Sequence, residues 1–403
     1  MRTLFFPISI SISLAIGVAA FACGGPTSGV GGPGPGTSSS SGSSSSSGEP
    51  TDRPDCDASA ATGVEVSSED LAGFPPYAVA GCTLAYVNRS GVLVVRDLGT
   101  KEEKEIAPAS EKPRRPAASI AAVAWEATIA GKDVVRVRIG TDVRTIEGNF
   151  TAAREPRVNA TNVVFTAWLG RADVPDSDTD VYLYEGLTRN VQPIFTGPGQ
   201  QRFADISSGF VAATDFSEDP DGYFGSATAC TKSEQCASNK CDPSNGLCTD
   251  LADIVLYDRA SGAVTKRSAP GKQAFPILVN DSILGYLDWR LVHPEPKLEA
   301  YELRASDIRG IDANDKTISQ IKHFTSSPTR PSVAGGTFEW VANPDGKTAL
   351  FRAPADGSAL PVQVSGLDEF TLYAPASTKG YTVLATTQRA SSTPTPQLRA
   401  VTR

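Results

Sequence analysis

Four cysteines that lie close together are the residues best suited to chemistry in this sequence. They are Cys230, Cys236, Cys241 and Cys248, with the pattern C-x5-C-x4-C-x6-C in a polar stretch of 19 residues. A loop with so few core residues needs cross-links to hold a shape. Two disulfides are the favoured interpretation, and a zinc site is the rival, although the C-x-x-C spacing of many zinc sites is absent. Three pairings are possible, and we adopt Cys230 with Cys241 and Cys236 with Cys248.

The two histidines offer little for catalysis. His293 lies close in sequence to Glu295 and Glu299, so it is a candidate general base, but it also fits an exposed loop residue. His323 adjoins Phe324 at the end of a strand and fits a structural role. The folded part of the sequence contains no G-x-S-x-G motif for a nucleophilic serine. We therefore expect no catalytic residues and a protein that is not an enzyme.

A carboxylate-rich segment is the remaining candidate for metal binding. It contains Asp173, Asp176, Asp178 and Asp180 just before a predicted strand. Exported proteins bind calcium through such oxygens, but the spacing of an EF-hand loop is absent. A solvated turn is the favoured interpretation and a calcium ion is the alternative, so we predict no cofactor.

Composition limits the classes of partner. The 403 residues carry a net charge of −8 and are 40% hydrophobic, which is enough for one large or two ordinary domains. The acidic balance argues against nucleic acid, which needs a basic face. It equally disfavours adsorption to an anionic membrane surface.

Residues 1–22 have the character of an export signal. Arg2 gives a basic start, and a largely apolar stretch ends in Ala20-Phe21-Ala22 just before Cys23. This segment resembles a bacterial lipoprotein signal peptide, which implies that Cys23 becomes the lipidated first residue of the mature chain. Ala20 and Phe21 depart from the usual leucine and small residue at their positions. An ordinary secretory signal and an uncleaved anchor helix are the alternatives.

Residues 23–54 are predicted to be a disordered tether. They are rich in glycine, serine and proline and cannot bury a core. The 31 residues from Gly24 to Pro54 typically span about 30 Å, so a folded domain can stand off a membrane. The resemblance implies a lipid-anchored protein of the bacterial outer membrane or cell surface that contacts the membrane through its anchor only. A periplasm-facing location is the alternative.

Export places the other six cysteines in an oxidising compartment. With the clustered four paired among themselves, Cys56 and Cys82 are left for each other. That bond would staple the end of the tether to the first strand pair. The cluster lies in an insertion over residues 228–250 that resembles small cysteine-rich insertions of other exported bacterial proteins. The resemblance implies a protruding contact element, and a stabilised loop without a partner is the alternative.

A repeat of strands dominates residues 55–403. Its first clear unit is a hairpin in which Leu84–Val87 and Val92–Val95 flank a polar turn. Units of four strands recur about every 40 residues, and the second is expected to contain a strand at Ile120–Ala124. This period predicts an all-β fold, a β-propeller of about seven four-stranded blades, with six as the alternative. The segment Gly63–Val66 is expected to complete the short last blade.

Several segments resemble blades of the TolB-like propeller family. They are Leu84–Val87 with Leu93–Asp97, Asp180–Tyr184, Asp253–Asp258, and the turn Asn343–Lys347, which has Asn where the family has Ser in S-P-D-G-K. The similarity covers most of residues 75–400 as pattern rather than identity. It implies a propeller that binds proteins. Some members carry a fused hydrolase, and no such domain fits in this sequence.

Four tryptophans fall at or near the ends of second strands: Trp125, Trp168, Trp289 and Trp340. Packing between blades is the favoured interpretation, and a ring of exposed side chains that stack on sugars is the alternative. We therefore expect a non-catalytic envelope lipoprotein whose propeller binds another envelope or extracellular protein. Carbohydrate or cell-wall binding is the second hypothesis. A hydrolase or lyase on a propeller scaffold is the third.

Overall fold

Seven small antiparallel sheets follow one another along the chain, and each is formed from strands that are neighbours in sequence. The computed structural model describes residues 56–71, 74–170, 178–197, 199–217, 230–235, 241–242, 247–248, 252–267, 273–288, 300–309, 315–322, 330–343, 346–391 and 395–403. Six sheets have four strands, and the last has three strands and a bridge to Glu65. The predicted seven-bladed β-propeller is confirmed, and the alternative of six blades is wrong.

The strands are numbered in chain order. Blade 1 contains β1 (Tyr77–Ala80), β2 (Thr83–Val87), β3 (Leu93–Asp97) and β4 (Glu103–Ala107). Blade 2 contains β5 (Arg114–Ala118), β6 (Ala122–Ile129), β7 (Lys132–Ile139) and β8 (Asp142–Thr145). Blade 3 contains β9 (Ala152–Asn159), β10 (Asn162–Trp168), β11 (Thr179–Glu185) and β12 (Asn190–Phe195). Blade 4 contains β13 (Gln201–Ile206), β14 (Phe210–Asp215), β17 (Asp253–Asp258) and β18 (Val264–Arg267). Between β14 and β17 lies a hairpin of β15 (Cys241–Asp242) and β16 (Leu247–Cys248).

Blade 5 contains β19 (Gln273–Leu278), β20 (Ile283–Asp288), β21 (Ala300–Asp307) and β22 (Lys316–Lys322). Blade 6 contains β23 (Ser332–Ala334), β24 (Thr337–Ala342), β25 (Ala349–Pro354) and β26 (Val362–Gln363). Blade 7 contains β27 (Phe370–Ser377), β28 (Tyr381–Gln388) and β29 (Gln397–Thr402). Short 3-10 helices span Ala58–Ala61, Ala109–Glu111 and Ser233–Gln235. The described part of the chain contains no helix long and apolar enough to cross a membrane.

The position of a strand within its blade decides which residues it needs. Second strands have a neighbouring blade on each face, so they are buried almost throughout. Every residue of β14 is buried, and so is all of β10 except its two ends. The buried residues are mostly apolar, with polar exceptions such as Glu126 and Thr214. Fourth strands lie at the outer edge in water, and β4 begins with three exposed charged residues. A single blade cannot cover both of its faces, so the blades stack in a ring.

One predicted strand is only partly correct. In the segment Ile120–Ala124, expected in the second unit, the first two residues lie in a turn and Ala122–Ala124 begin β6. The first strand of blade 2 is β5, and β6 is its second strand. The sequence Arg114-Arg115-Pro116 did not indicate a strand, because proline and paired charges are depleted in strands. The register shift between Arg114 and Ala117 accommodates them as a bulge.

The segment near Glu65 closes the ring, as the sequence predicted. Glu65 forms an antiparallel bridge with Gln397 of β29. The Gly63 amide donates to the Leu398 carbonyl at 2.9 Å, and the Leu398 amide donates to the Val64 carbonyl at 2.8 Å. Both ends of the propeller therefore meet in blade 7. Residues from blades 1 and 7 and from this segment share one core, which includes Tyr77, Val383 and Val64.

The two faces of the ring differ in their connections. Each first strand turns into the second through a short connection, such as residues 81–82 or 160–161, and we call this end the short-turn face. The connections from second to third strands leave the opposite face. The longest of these runs from Asp215 to Asp253 and contains the cysteine hairpin.

Candidate functional site

The first strands of neighbouring blades approach one another around the ring, for example β5 with β9 and β9 with β13, and several of them share a distortion. In β5, β9, β13, β19 and β27 the pairing with the second strand shifts register, so the inner strand is bulged. In the first four of these, one bulge residue is left-handed: φ is +48° at Arg115, +59° at Glu155, +56° at Phe203 and +56° at Phe275. This conformation costs a non-glycine residue about 1–3 kcal/mol, so neighbouring groups must hold it.

Hydrogen bonds between blades hold three of these bulges. The Glu155 amide donates to Glu126 Oε1 of blade 2 at 2.7 Å. The Phe203 amide donates to Glu155 Oε2 at 3.3 Å, and the Phe275 amide donates to Thr214 Oγ1 at 3.0 Å. In each pair the acceptor belongs to the preceding blade. The channel wall from blade 2 to blade 5 is thus fixed by side chains that join one blade to the next.

Arginines balance the two carboxylates in these joints. Glu126 is fully buried and contacts Arg115 Nη1 at 3.1 Å and Arg114 Nε at 2.8 Å. Glu155 is 5% exposed and forms an ion pair with Arg202. Burial raises the pKa of Glu155, but Arg202 outweighs that effect and holds the pKa below its usual value. Both charges are therefore compensated within the wall.

Arg330 adds a further cation at the same level of the channel. It lies just before β23 in blade 6, and its Nη2 atom is 3.5 Å from Asp205 Oδ1 of blade 4. The guanidinium also donates to the carbonyls of Ala204, at 3.4 Å, and Pro276. Asp205 Oδ2 accepts from the Leu278 amide at 2.7 Å. Arg330 and Asp205 are thus engaged with each other and with the backbone of blades 4 and 5.

Arg157 differs from these arginines because no carboxylate of the described residues forms a direct ion pair with it. It follows the bulge of β9 and occupies the position that Asp205 holds in β13, since Arg157 pairs with Val164 as Asp205 pairs with Ala212. Within the part of the chain that the structure describes, the Arg157 guanidinium forms no hydrogen bond or ion pair, and it stays partly exposed. Burial lowers the pKa of Arg157 to about 9, and the nearby Arg330 acts in the same direction. Asp205 and Glu155 act in the opposite direction. Arg157 remains protonated at neutral pH and, among the described residues, has no direct ion-pair partner.

Phe74, which precedes blade 1, lies against the bulged inner strands of blades 2 and 4. Phe74 stacks on Phe203, with ring centroids 6.0 Å apart, and Phe203 packs on Phe275 at 4.4 Å. The Arg115 guanidinium lies 4.3 Å from the centroid of Phe74. Asp70, close before Phe74, is 3.4 Å from Arg115 Nη2. The segment that leads into β1 therefore contacts blades 2 and 4 at the level of the bulges.

Four of the cysteines singled out in the sequence form disulfides in the structure. These bonds join Cys56 to Cys82 and Cys230 to Cys241. Cys248 pairs in register with Cys241 across the small hairpin. Cys23, the expected lipidation site, and Cys236, the expected partner of Cys248, lie outside the described residues.

Most other candidates for chemistry also lie outside the described residues: Asp173, Asp176, Trp289, His293, Glu295, Glu299 and His323. Asp180 was expected before a strand, but it lies inside β11 and is 5% exposed. Trp125 and Trp340 are buried, which confirms core packing for these two. Trp168 is partly exposed between the guanidinium groups of Arg154 and Arg202, at 5.1 and 5.8 Å. Among the described residues, no three side chains of His, Cys, Asp or Glu group as metal ligands.

The sequence analysis missed the charged channel wall. Its residues lie in the inner strands, which read AAREPRVN in β9 and QRFADI in β13. Charged residues inside otherwise apolar strands were the available signal, because such strands are buried in a ring of blades. Arg157 and Arg330 are 173 positions apart in the sequence, and only the closed ring brings them to one site.

No family model and no curated protein matches the sequence. Solved structures similar to it include TolB from Acinetobacter baumannii, at 14% identity and a TM-score of 0.40. That alignment covers 66% of this chain and 57% of that chain.

Two archaeal proteins align over more of the chain. The β-propeller domain of the Trilobed protease from Pyrococcus furiosus, described as having an open velcro topology, aligns at 10% identity and a TM-score of 0.53 over 83% of this chain and 94% of that domain. The acylaminoacyl peptidase of Pyrococcus horikoshii aligns at 11% identity and a TM-score of 0.51, over 84% of this chain and 52% of that enzyme. At these identities the alignments support the β-propeller fold and leave the activity of this chain open.

Proposed function

We propose that this chain is a non-catalytic binding protein of the bacterial cell envelope and that a protein partner places a carboxylate on Arg157. The proposal includes a lipid anchor on Cys23 and a tether over residues 24–54, which keep the propeller near the outer membrane or cell surface. Two disulfides within the described residues support export, because such bonds persist in oxidising compartments.

The Arg157 guanidinium, which forms no hydrogen bond or ion pair among the described residues, is the observation that carries this proposal. A guanidinium close to other cations and without a partner lowers the stability of the folded protein, so it is retained for something other than folding. Arginine recognises carboxylates with two parallel hydrogen bonds, which fixes both position and orientation. The hydrogen-bonded bulges hold the surrounding wall rigid, so the site is arranged before the partner arrives.

A protein partner suits the site better than a glycan. Sugars stack on exposed aromatic faces, but Trp125 and Trp340 are buried, and Trp168 lies between Arg154 and Arg202. Acidic side chains are common on envelope proteins and supply the carboxylate that Arg157 lacks. This chain spans about half the length of the P. horikoshii enzyme.

A capture experiment tests the proposal. A variant that begins at Asp55 is immobilised, and solubilised envelope proteins and cell-wall fragments are passed over it. Arg157→Gln removes the charge of interest, and Arg89→Gln, on a side chain that is 72% exposed, is the matched control. We expect a specific protein that binds the unmodified chain and Arg89→Gln and is lost with Arg157→Gln.

Three outcomes contradict the proposal. A protein that still binds Arg157→Gln but is lost when residues 230–248 are deleted would move recognition to the cysteine insertion. A retained glycan without a retained protein would favour the carbohydrate hypothesis. Equal capture by all variants would exclude both Arg157 and the insertion as the contact.

A further inference from the structure

A second cationic site lies on the short-turn face between blades 6 and 7. Gly335 and Thr337 come from the first turn of blade 6, Lys379 from the first turn of blade 7, and Arg352 from β25. Together with Arg403, just beyond β29, they line a cavity of about 380 Å³. That volume lies within the range of small-molecule binding sites, about 300–1,000 Å³.

The side chains around this cavity carry more positive than negative charge. Glu339 is the carboxylate at its base and is fully buried. It accepts hydrogen bonds from Arg352 Nε, Ser377 Oγ and Thr382 Oγ1 and lies 3.2 Å from Arg403 Nε. Its lone pairs are thus occupied by groups other than Lys379. Three cationic side chains therefore surround one carboxylate that is already engaged.

The two arginines are held in place rather than free to swing. Arg403 Nη1 donates to the carbonyls of Ala334 at 2.7 Å and Thr378 at 3.0 Å. Arg352 Nη1 donates to the Thr402 carbonyl at 3.1 Å, while its Nη2 is buried and has no hydrogen-bond partner among the described residues. Burial and the neighbouring Arg352 lower the pKa of Arg403, although Glu339 acts against them. The site keeps an excess of positive charge that its own residues do not cancel.

Lys379 and Gly335 complete the site. Lys379 is exposed, and within the described ranges its ammonium group forms no hydrogen bond or ion pair. Gly335 has a φ of +52°, and a Cβ atom there would lie 3.5 Å from Lys379 Cγ and 3.8 Å from Arg403 Nη1. The bare glycine therefore leaves open a space that a side chain would fill between the two cations.

We propose that this cavity binds a small anion with two or more phosphate or carboxylate groups. Fixed arginines suit the recognition of planar or tetrahedral oxyanions, and the flexible Lys379 adds a movable donor at the opening. The Thr337 hydroxyl supplies a further polar group in the lining. The site is independent of Arg157 and of the proposed protein partner, because none of its lining residues belongs to the channel wall.

Isothermal titration of the full chain with inorganic pyrophosphate and with citrate, at low ionic strength, tests this site. We expect at least one of the two to bind at a single site, and the one that binds defines the phosphate or carboxylate class. Lys379→Gln should weaken binding at least tenfold, and Gly335→Ala should weaken it by obstructing the cavity.

Lys104→Gln, on the exposed outer strand of blade 1, is the matched control and should bind as the unmodified chain does. Circular dichroism of each variant shows whether it remains folded, and the exposed Lys379→Gln keeps the test valid if Gly335→Ala does not fold. The proposal is overturned if neither probe binds at millimolar concentration. It is also overturned if Lys379→Gln binds with the affinity of Lys104→Gln.

Discussion

The aromatic ring of Phe74 stacks on that of Phe203, with centroids 6.0 Å apart and planes inclined by 24°. Phe74 precedes blade 1, and Phe203 belongs to blade 4, which stands as far from blade 1 as a ring of seven permits. A contact between them means that Phe74 reaches across the central channel. With the Arg115 guanidinium 4.3 Å from its ring centroid, Phe74 fills the channel at the level of the four left-handed bulges.

Phe74→Ala should lower the free energy of unfolding by about 1–3 kcal/mol. A fully buried phenylalanine costs about 3–5 kcal/mol when truncated, and Phe74 is only partly buried. Chemical denaturation followed by far-UV circular dichroism measures the change. Leu187→Ala, at a side chain that is 89% exposed, should have almost no effect. Equal stability of the two variants would mean that Phe74 does not contribute to packing in the channel.

The contact between blades 5 and 6 depends on a residue without a side chain. A Cβ atom on Gly285 would lie 2.3 Å from Cζ of Phe338, and Phe338 is fully buried. Gly285→Ala should therefore destabilise the propeller by about 1–3 kcal/mol, because the ring of Phe338 must move within a packed core. Gly380→Ala is the matched control, since a Cβ atom there meets nothing within 4 Å. A loss of stability in both variants alike would show that overpacking is not the cause.

The sequence predicts those parts of the fold that depend on local pattern and on period. The hairpin from Leu84 to Asp97 is predicted correctly because its apolar strand residues and its polar turn are contiguous in the sequence. Closure by the segment Gly63–Val66 is predictable because a ring of repeats needs its last blade completed. By contrast, β5 was not predicted, because Arg114 and Pro116 are unusual in a strand and the bulge that accommodates them has no signal in the sequence.

The candidate site escapes prediction for a different reason. Glu126, Glu155 and Arg202 come from three successive blades and meet only because each bulge amide faces the preceding blade. No pattern within one strand indicates such a meeting. The basic cavity near Lys379 likewise combines blade 6 with residues at the end of blade 7. A charged residue in a predicted strand thus indicates a site, but the residues that pair with it are known only once the blades are arranged in the ring.

The disulfide between Cys56 and Cys82 should contribute more to global stability than the one in the cysteine insertion. It links positions 26 residues apart and ties the start of the described chain to blade 1. Replacing both cysteines with alanine should lower the free energy of unfolding by about 3 kcal/mol, because the unfolded chain gains entropy.

The double variant Cys230→Ala with Cys241→Ala is the control for this prediction. That disulfide spans 11 positions in an insertion outside the seven blades, so its loss should change propeller stability by less than about 0.5 kcal/mol. Thermal unfolding of both variants under non-reducing conditions measures the difference. The reverse order of effects would show that the insertion supports the ring.

Glu155 should make the propeller sensitive to acid. Its pKa is held below the ordinary value of 4.5 in the folded state, because Arg202 outweighs the effect of burial. A carboxyl group with a lowered pKa stabilises the fold above its unfolded pKa and loses that contribution as the pH falls through the folded pKa. Glu155→Gln should therefore cost about 3 kcal/mol at neutral pH, where it leaves Arg202 unpaired.

The same variant should lose less stability on acidification than the unmodified protein does, because one protonation step is absent. Urea denaturation at neutral pH and at several values below 4.5 gives both results. Arg202→Gln should also destabilise the protein at neutral pH, since it leaves Glu155 without its ion pair. An unchanged acid dependence in Glu155→Gln would assign the acid sensitivity to other carboxylates.

Arg157→Met should stabilise the protein while it abolishes binding of the partner. The folded-state pKa of Arg157 is about 9, well below its ordinary value, because burial and Arg330 outweigh the attraction of Asp205 and Glu155. A base with a lowered pKa reduces stability at every pH below that folded value, and the loss is recovered only as the pH rises above about 9 toward the unfolded pKa. Removing the charge should therefore raise the free energy of unfolding at neutral pH. We expect a gain of about 1–2 kcal/mol, less than the shift in pKa implies, since Arg157 is partly exposed and water screens its charge.

Arg330→Met is the informative comparison, because that arginine is paired. Its loss leaves Asp205 without its cation and should destabilise the fold by about 3 kcal/mol. Opposite signs for the two substitutions, measured by urea denaturation at neutral pH, would identify Arg157 as a residue kept for binding at a cost in stability. If Arg157→Met instead destabilises the protein as Arg330→Met does, Arg157 has a structural partner, and its charge is not available to a ligand.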